Sequence, residues 1–333
     1  MGKVFEKFEE QAERVKHLVK ETNKLPVLII QQHPIDDGRE LLFPPVRESL
    51  SNIISFAEVC GPEPIKQILD RASQFIDAII LDIDKKRKNS NSIIAEVKKN
   101  IGSTPLLFYS DYGMWSSAAI SFVLSIVKSL TDKRVLLLGN NFLATRLLQL
   151  LLNYGSTVFL LPDDWQSGLF SLDTDTSLMI KSKRMKTVSS PNDSFDIILG
   201  ASVLRPHPVD ISHYSSTKIF DVGLRNFKRE YIKQQVSQGA TIYRFDNRAG
   251  ISSVVLNLME TEYLTKKNMG AVNVGRIKVI SGGILGEEDS IVVDNAFAPE
   301  FIFGVADGEG MFKSKLTRKN RDDIGVIKEL IKK

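Results

Sequence analysis

The sequence predicts a two-lobed α/β fold: an N-terminal α/β domain, a Rossmann-like doubly wound domain, and a small C-terminal β appendage. Three observations predict it. The 333 residues exceed what one hydrophobic core usually supports. Apolar strand-like runs alternate with helical stretches over residues 1–113 and again after residue 134. Beyond Gly270 the pattern changes to short apolar runs separated by SGG, GEE and DGEG turns.

In order, residues 3–23 place Val4, Phe5, Phe8, Ala12, Val15 and Val19 on one stripe of an amphipathic helix. Residues 26–30 read as a strand, and a proline-rich, charged loop leads to a helical stretch at 50–59. A helix at 65–75 feeds a strand at 78–83. DKKRKNSNS reads as a polar hairpin, followed by a helix at 93–101 and a strand at 106–109. An apolar helix at 114–130 bridges the lobes. Later strands are expected at 195–199, 218–222 and 241–244, and a helix at 251–264. The boundaries expected are 1–113, 114–267 and 268–333, the last ending in a charged helix.

The segment 134–164 carries the most functional information. It reads strand, Gly139, a leucine-rich helix, Gly155, strand, then Pro162, Asp163 and Asp164. That order matches a βαβ unit in which a glycine turn aims helix N-terminal N–H groups at a diphosphate and an acid receives the ribose. The turn would be Gly139, Asn140, Asn141, Phe142, Leu143 and Ala144, with Asp163 on the ribose. Asn141 stands where the motif has its middle glycine; it tolerates positive φ but crowds the diphosphate's approach. Ala201, Ser202 and Gly223, on the loops after later strands, complete the expected cofactor contacts. Residues 156–180 contain no lysine or arginine, so NAD is favoured over NADP, whose 2′-phosphate would meet acids alone. Two alternatives stay open: an S-adenosylmethionine-dependent methyltransferase, and a non-catalytic nucleotide-binding or scaffold protein.

Composition narrows the classes. Cys60 stands alone, which removes disulfides and thiolate zinc clusters, and the four histidines lack metal-ligand spacing. The net charge of +4 is mild, and the basic tail lacks interleaved aromatics, so no nucleic-acid partner is expected. No apolar run approaches the roughly 20 residues of a membrane span, and the N-terminus lacks a signal peptide's apolar core; a cytoplasmic protein binding a small-molecule substrate is expected. The first helix and the appendage each offer a surface for a homodimer.

Several segments carry a family resemblance. SDYG (110–113) lies before the bridging helix, where shikimate dehydrogenases have an N-T-D-G-like motif. GNNFLATRLLQLLLNYGSTV is similar to the phosphate loop and helix of the methylenetetrahydrofolate dehydrogenase/cyclohydrolases. FDIILGAS (195–202), IFDVGLRN (219–226) and RAGISSVVLNLMETEYL resemble later segments of these two-lobed dehydrogenases. The resemblance spans about residues 105–265 and implies Rossmann-type oxidoreductase chemistry in an interlobe cleft. It places Asp111 at that cleft. FPPVR puts Arg47 where shikimate dehydrogenases carry a lysine, and no tyrosine precedes Tyr109, so neither family's proton-transfer lysine has a match. Strand-end loops add His207 as a proton donor and Arg205 as a carboxylate clamp. Asp111, His207, Arg205 and Arg47 are therefore the catalytic candidates.

Overall fold

The computed structural model describes residues 2–33, 41–161, 184–188, 193–203 and 206–331. Its first sheet is built from β1 (Leu25–Gln32), β2 (Leu41–Leu42), β3 (Arg47–Glu48), β4 (Asn52–Val59), β5 (Ala78–Asp82) and β6 (Leu106–Tyr109). The order is β2-β4-β1-β5-β6, with β3 also on β4. Strands β1, β4, β5 and β6 run parallel, and β2 and β3 lie antiparallel on β4. The helices α1 (Gly2–Thr22), α2 (Ile65–Ala72) and α3 (Ser90–Asn100) accompany it. Phe8, Ile68, Ile93 and Val97 from these helices pack in one core with Leu28, Ile30 and Ile79 of the strands.

One element corrects the sequence reading. Residues 52–59, expected as helix, form β4, paired residue by residue with β1 from Leu25↔Asn52 to Gln32↔Val59. NIISFAEV fits either state by apolar periodicity. Its β-branched and aromatic content and a central position, buried except at Glu58, decide for strand.

Helix α4 (Asp111–Val127) leads into the second sheet, made of β7 (Arg134–Leu138), β8 (Thr157–Leu161), β9 (Met185–Thr187), β10 (Ile197–Gly200), β11 (Lys218–Asp221) and β12 (Thr241–Arg244). Its order is β12-β11-β10-β7-β8-β9, and every pair is parallel. Counting from β7 this is the 3-2-1-4-5-6 order of dinucleotide-binding sheets, so the Rossmann-like doubly wound domain is present. Strand alternation explains why β7 is apolar throughout. Val135 and Leu137 face a core shared with α4 and with α5 (Phe142–Asn153), while Leu136 and Leu138 face a second core containing Tyr231 of α6 (Arg229–Ser237). Gly250 opens α7 (Arg248–Tyr263) onto α4: a Cβ there would lie 2.5 Å from that of Ala118.

The chain divides into two compact units, Met1–Val255 and Leu256–Lys333, the division falling within α7. The second unit is a mixed sheet of β13 (Ala271–Val274), β14 (Ile277–Ser281), β15 (Ile291–Val293) and β16 (Ile302–Val305), followed by α8 (Arg318–Ile331). Ile327 of α8 packs with Val279, Ile291, Val293 and Val305. This is the expected β appendage with its charged helix. Among the described residues no helix is long and apolar enough to cross a membrane, and no group of acids, histidines or cysteine is placed to hold a metal.

Candidate functional site

The glycine turn after β7 has the conformation its sequence calls for. Gly139 sits at φ +115°, and a Cβ on it would lie 3.1 Å from the Ser202 nitrogen and 3.2 Å from the Ala201 carbonyl carbon. Asn140 follows, and Asn141 then caps α5: its Oδ1 accepts from the Ala144 N–H at 3.0 Å. Its Nδ2 donates to the Ala201 carbonyl at 2.7 Å, tying the turn to the loop after β10. Ala144 is fully buried, so the helix approaches the sheet closely. Phe142 is half exposed, with its ring 5.5 Å from that of Tyr112. The N–H groups of Phe142 and Leu143 form no hydrogen bond among the described residues. Those two open amides at a helix start fit a diphosphate; the third is taken by Asn141. Asp163, the expected ribose ligand, lies outside the described residues. Replacing Asn141 with alanine removes both the cap and the tie, and is expected to cost about 1 kcal/mol in urea denaturation.

The loops after β10 and β11 interlock. The N–H groups of Val222 and Gly223 both donate to the Gly200 carbonyl, at 2.9 and 2.8 Å. Asn226 Nδ2 donates to the Ser202 carbonyl at 2.8 Å and to Asp221 Oδ1 at 2.9 Å. Leu224 and Arg225 take left-handed backbone, held by Asp221 Oδ2, which accepts from the Arg225 N–H at 2.8 Å. Ala201, Ser202 and Gly223 thus gather at the carboxyl end of the sheet beside the glycine turn. His207 does not join the other candidates. Its buried ring sets Nε2 3.1 Å from the Leu161 carbonyl at the end of β8, and it lines a separate small cavity of about 100 Å³. Arg205 lies outside the described residues.

A cavity of about 510 Å³ opens at the carboxyl ends of both sheets. Gln31, His33, Glu58, Lys86 and Asp111 line it from the first sheet, and Leu224, Arg244, Phe245 and Asn247 from the second. In open parallel sheets ligands bind in this position. Asp111 and Arg47 meet here, as does a residue outside the sequence-derived set: Lys86. The turn after β5 folds back so that Lys86 Nζ lies 2.7 Å from Asp82 Oδ2 and 2.5 Å from Asp111 Oδ2. It also lies 5.0 Å from the centre of the Tyr112 ring. Asp84 holds that turn against α4, accepting from Ser110 Oγ at 2.8 Å and from the Tyr112 N–H at 2.7 Å. Ser110 in turn caps α4 by accepting from Gly113 N–H at 3.0 Å.

One ammonium thus sits buried between two carboxylates. Burial pulls the Lys86 pKa down, but Asp111 and Asp82 outweigh it and the net shift is upward. Burial raises the Asp82 carboxyl, opposed by Lys86 and reinforced by Asp111. Tyr109, 3.5 Å from Asp111 Oδ1, is raised well above its ordinary value by burial and then by the Asp111 and Asp82 charges. Such a cluster can hold and exchange a proton with an oxygen in the cavity. Arg47 lies across the cavity. Its Nη1 donates to Asn247 Oδ1 at 3.0 Å, and its guanidinium stands 5.1 Å above the Phe56 ring. Burial lowers its pKa, aided by Arg248 and opposed by Asp246 and Glu58.

No family model matches the sequence, and neither does any curated protein sequence. Solved structures that resemble the fold include shikimate dehydrogenase from Aquifex aeolicus, at 13% identity and TM-score 0.38, covering 74% of this chain and 93% of that one. Hetero-hexameric glutamate dehydrogenase from Thermus thermophilus in a leucine-bound form matches at 11% identity and TM-score 0.41, covering 72% and 68%. Ornithine carbamoyltransferase from Pyrococcus furiosus matches at 12% and 0.39, covering 75% and 90%. The fold assignment accordingly rests on strand order, and the functional reading on the residues of the cavity.

Proposed function

We propose that this chain is an NAD-dependent oxidoreductase acting on a small polar or anionic metabolite held in the cavity between the two sheets. The observation that carries the reading is the Lys86 ammonium, 2.5 Å from Asp111 at a cavity fed by the carboxyl ends of both sheets. The Phe142 and Leu143 amides would hold the cofactor's diphosphate. A bound nicotinamide supplies or accepts the hydride. In reduction, Lys86 hydrogen-bonds the carbonyl oxygen and gives it a proton as negative charge develops there. Asp111 and Asp82 fix the ammonium in place and carry the compensating charge. In oxidation the same group takes the hydroxyl proton, so its raised pKa favours reduction at neutral pH and makes oxidation quicken as pH rises.

The preference for NAD rests on sequence, since residues 156–180 contain no lysine or arginine to meet a 2′-phosphate. Thermal-shift titration with NAD, NADP and S-adenosylmethionine tests the reading. A ligand of the native state at a hundredfold excess over Kd adds about 2.7 kcal/mol of stability. NAD is expected to give the largest shift. Stabilisation by S-adenosylmethionine alone would replace the reading with methyl transfer, and no response to any of the three would favour a non-catalytic protein.

A further inference from the structure

We propose that the metabolite bound in this cavity is a zwitterionic α-amino acid, its carboxylate on Arg47 and its ammonium on Glu58. The proposal rests on reading the cavity as the metabolite site and narrows its chemistry: the hydroxyl or carbonyl that meets Lys86 then belongs to the amino acid's side chain. Most charges lining the cavity are already matched. Lys86 is held by Asp82 and Asp111, and Arg248 grips Asp246 through Nε at 2.6 Å and Nη2 at 2.5 Å. Arg244 is exposed, so water screens its charge.

Arg47 and Glu58 differ. Among the described residues Arg47 forms no ion pair; its hydrogen-bond partner is the neutral Asn247 side chain. Asp246 and Glu58 act on this half-buried guanidinium without hydrogen-bonding it, so its remaining N–H groups can take a carboxylate. Glu58 receives Gln31 Nε2 at 2.6 Å and His33 Nδ1 at 3.1 Å, and among the described residues no lysine or arginine lies at ion-pair distance from it. A carboxylate has about four acceptor sites, so room remains for an ammonium.

The two groups are spaced for one ligand. Phe56 and Glu58 project from the same face of β4, two residues and roughly 6.5 Å apart along the strand. Arg47, from the neighbouring β3, holds its guanidinium above Phe56. A cation and an anion one strand-pleat apart fit the adjacent carboxylate and ammonium of an α-amino acid. A metabolite with only one of these charges would leave the other half-buried group unmet.

The test needs no cofactor, so it stands apart from the fate of the oxidoreductase reading. Thermal shift of the whole chain against each of the common L-amino acids identifies the best stabiliser. Calorimetry then compares that amino acid with its deaminated acid and its decarboxylated amine. The amino acid is expected to bind at least tenfold more tightly than either. Arg47→Gln should lose that gain over the amine, and Glu58→Gln should lose the gain over the deaminated acid. No stabilisation of the wild-type chain by any amino acid, or equal binding of the deaminated acid, would overturn the proposal. If an amino acid binds but NAD does not, the cavity keeps its ligand and only the redox reading falls.

Discussion

Lys86→Met is expected to be among the most damaging single substitutions in this chain, for stability and for turnover alike. Lys86 is almost wholly buried and holds two carboxylates, one at the end of β5 and the other opening α4. Removing one partner of such a cluster leaves the others charged and without a counter-ion, at a cost of about 3–5 kcal/mol. Urea denaturation at neutral pH should show the loss. Adding Asp82→Asn to the variant should restore part of it, because a neutral amide no longer needs the ammonium. The pH dependence follows from the sign of the shift. With its pKa raised above the unfolded value, Lys86 stabilises fully below the ordinary lysine range, near 10.4, and less as pH climbs through the folded value. The gap between wild type and variant should therefore narrow in strong alkali, as Lys86 loses its proton, and in acid, as Asp82 and Asp111 gain theirs. Turnover of any substrate found should fall by about 10²–10⁴, the usual worth of positioned proton transfer. A variant as stable as wild type at pH 7 would remove the buried cluster from the explanation.

The second large effect is expected at Gly223. Its φ is unremarkable; what matters is the backbone across from it. A Cβ there would lie 2.2 Å from the Ser202 carbonyl oxygen and 2.8 Å from the Ala201 and Ser202 carbonyl carbons. These are main-chain atoms pinned by hydrogen bonds to Leu138 and Asn226, and they cannot swing aside as a flexible side chain would. Gly223→Ala is expected to cost about 3 kcal/mol, the upper part of the usual overpacking range. It should also loosen dinucleotide binding, since the displaced loop borders the glycine turn. Urea denaturation and cofactor titration read the two effects separately, and an alanine variant of wild-type stability would mean that the loops are not interlocked.

How far the sequence could be read depended on whether the signal was local. The second sheet was legible because alternation at 135–138, the Gly139 turn and the Gly155 stop all lie within one βαβ unit. Residues 52–59 were misread because apolar periodicity in a short run does not separate a buried strand from a buried helix. The site split along the same line. Asp111 and Arg47, singled out by the family resemblance of SDYG and FPPVR, both line one cavity. Lys86 was hidden in a run of four basic residues that reads as a solvated hairpin. Its one local signal was its place four residues beyond Asp82, where a strand gives way to a turn. Only the fold, by bringing β5 beside β6, sets it against Asp111. His207 drew notice as a histidine on a strand-end loop, and the structure buries its ring against backbone carbonyls.

A crystal structure of the chain grown with NADH tests the central claim most directly. The expected result is a diphosphate hydrogen-bonded to the Phe142 and Leu143 amides and a nicotinamide facing the cavity that Lys86 and Asp111 line. A dinucleotide bound elsewhere, or a glycine turn left without a diphosphate under saturating NADH, would contradict it.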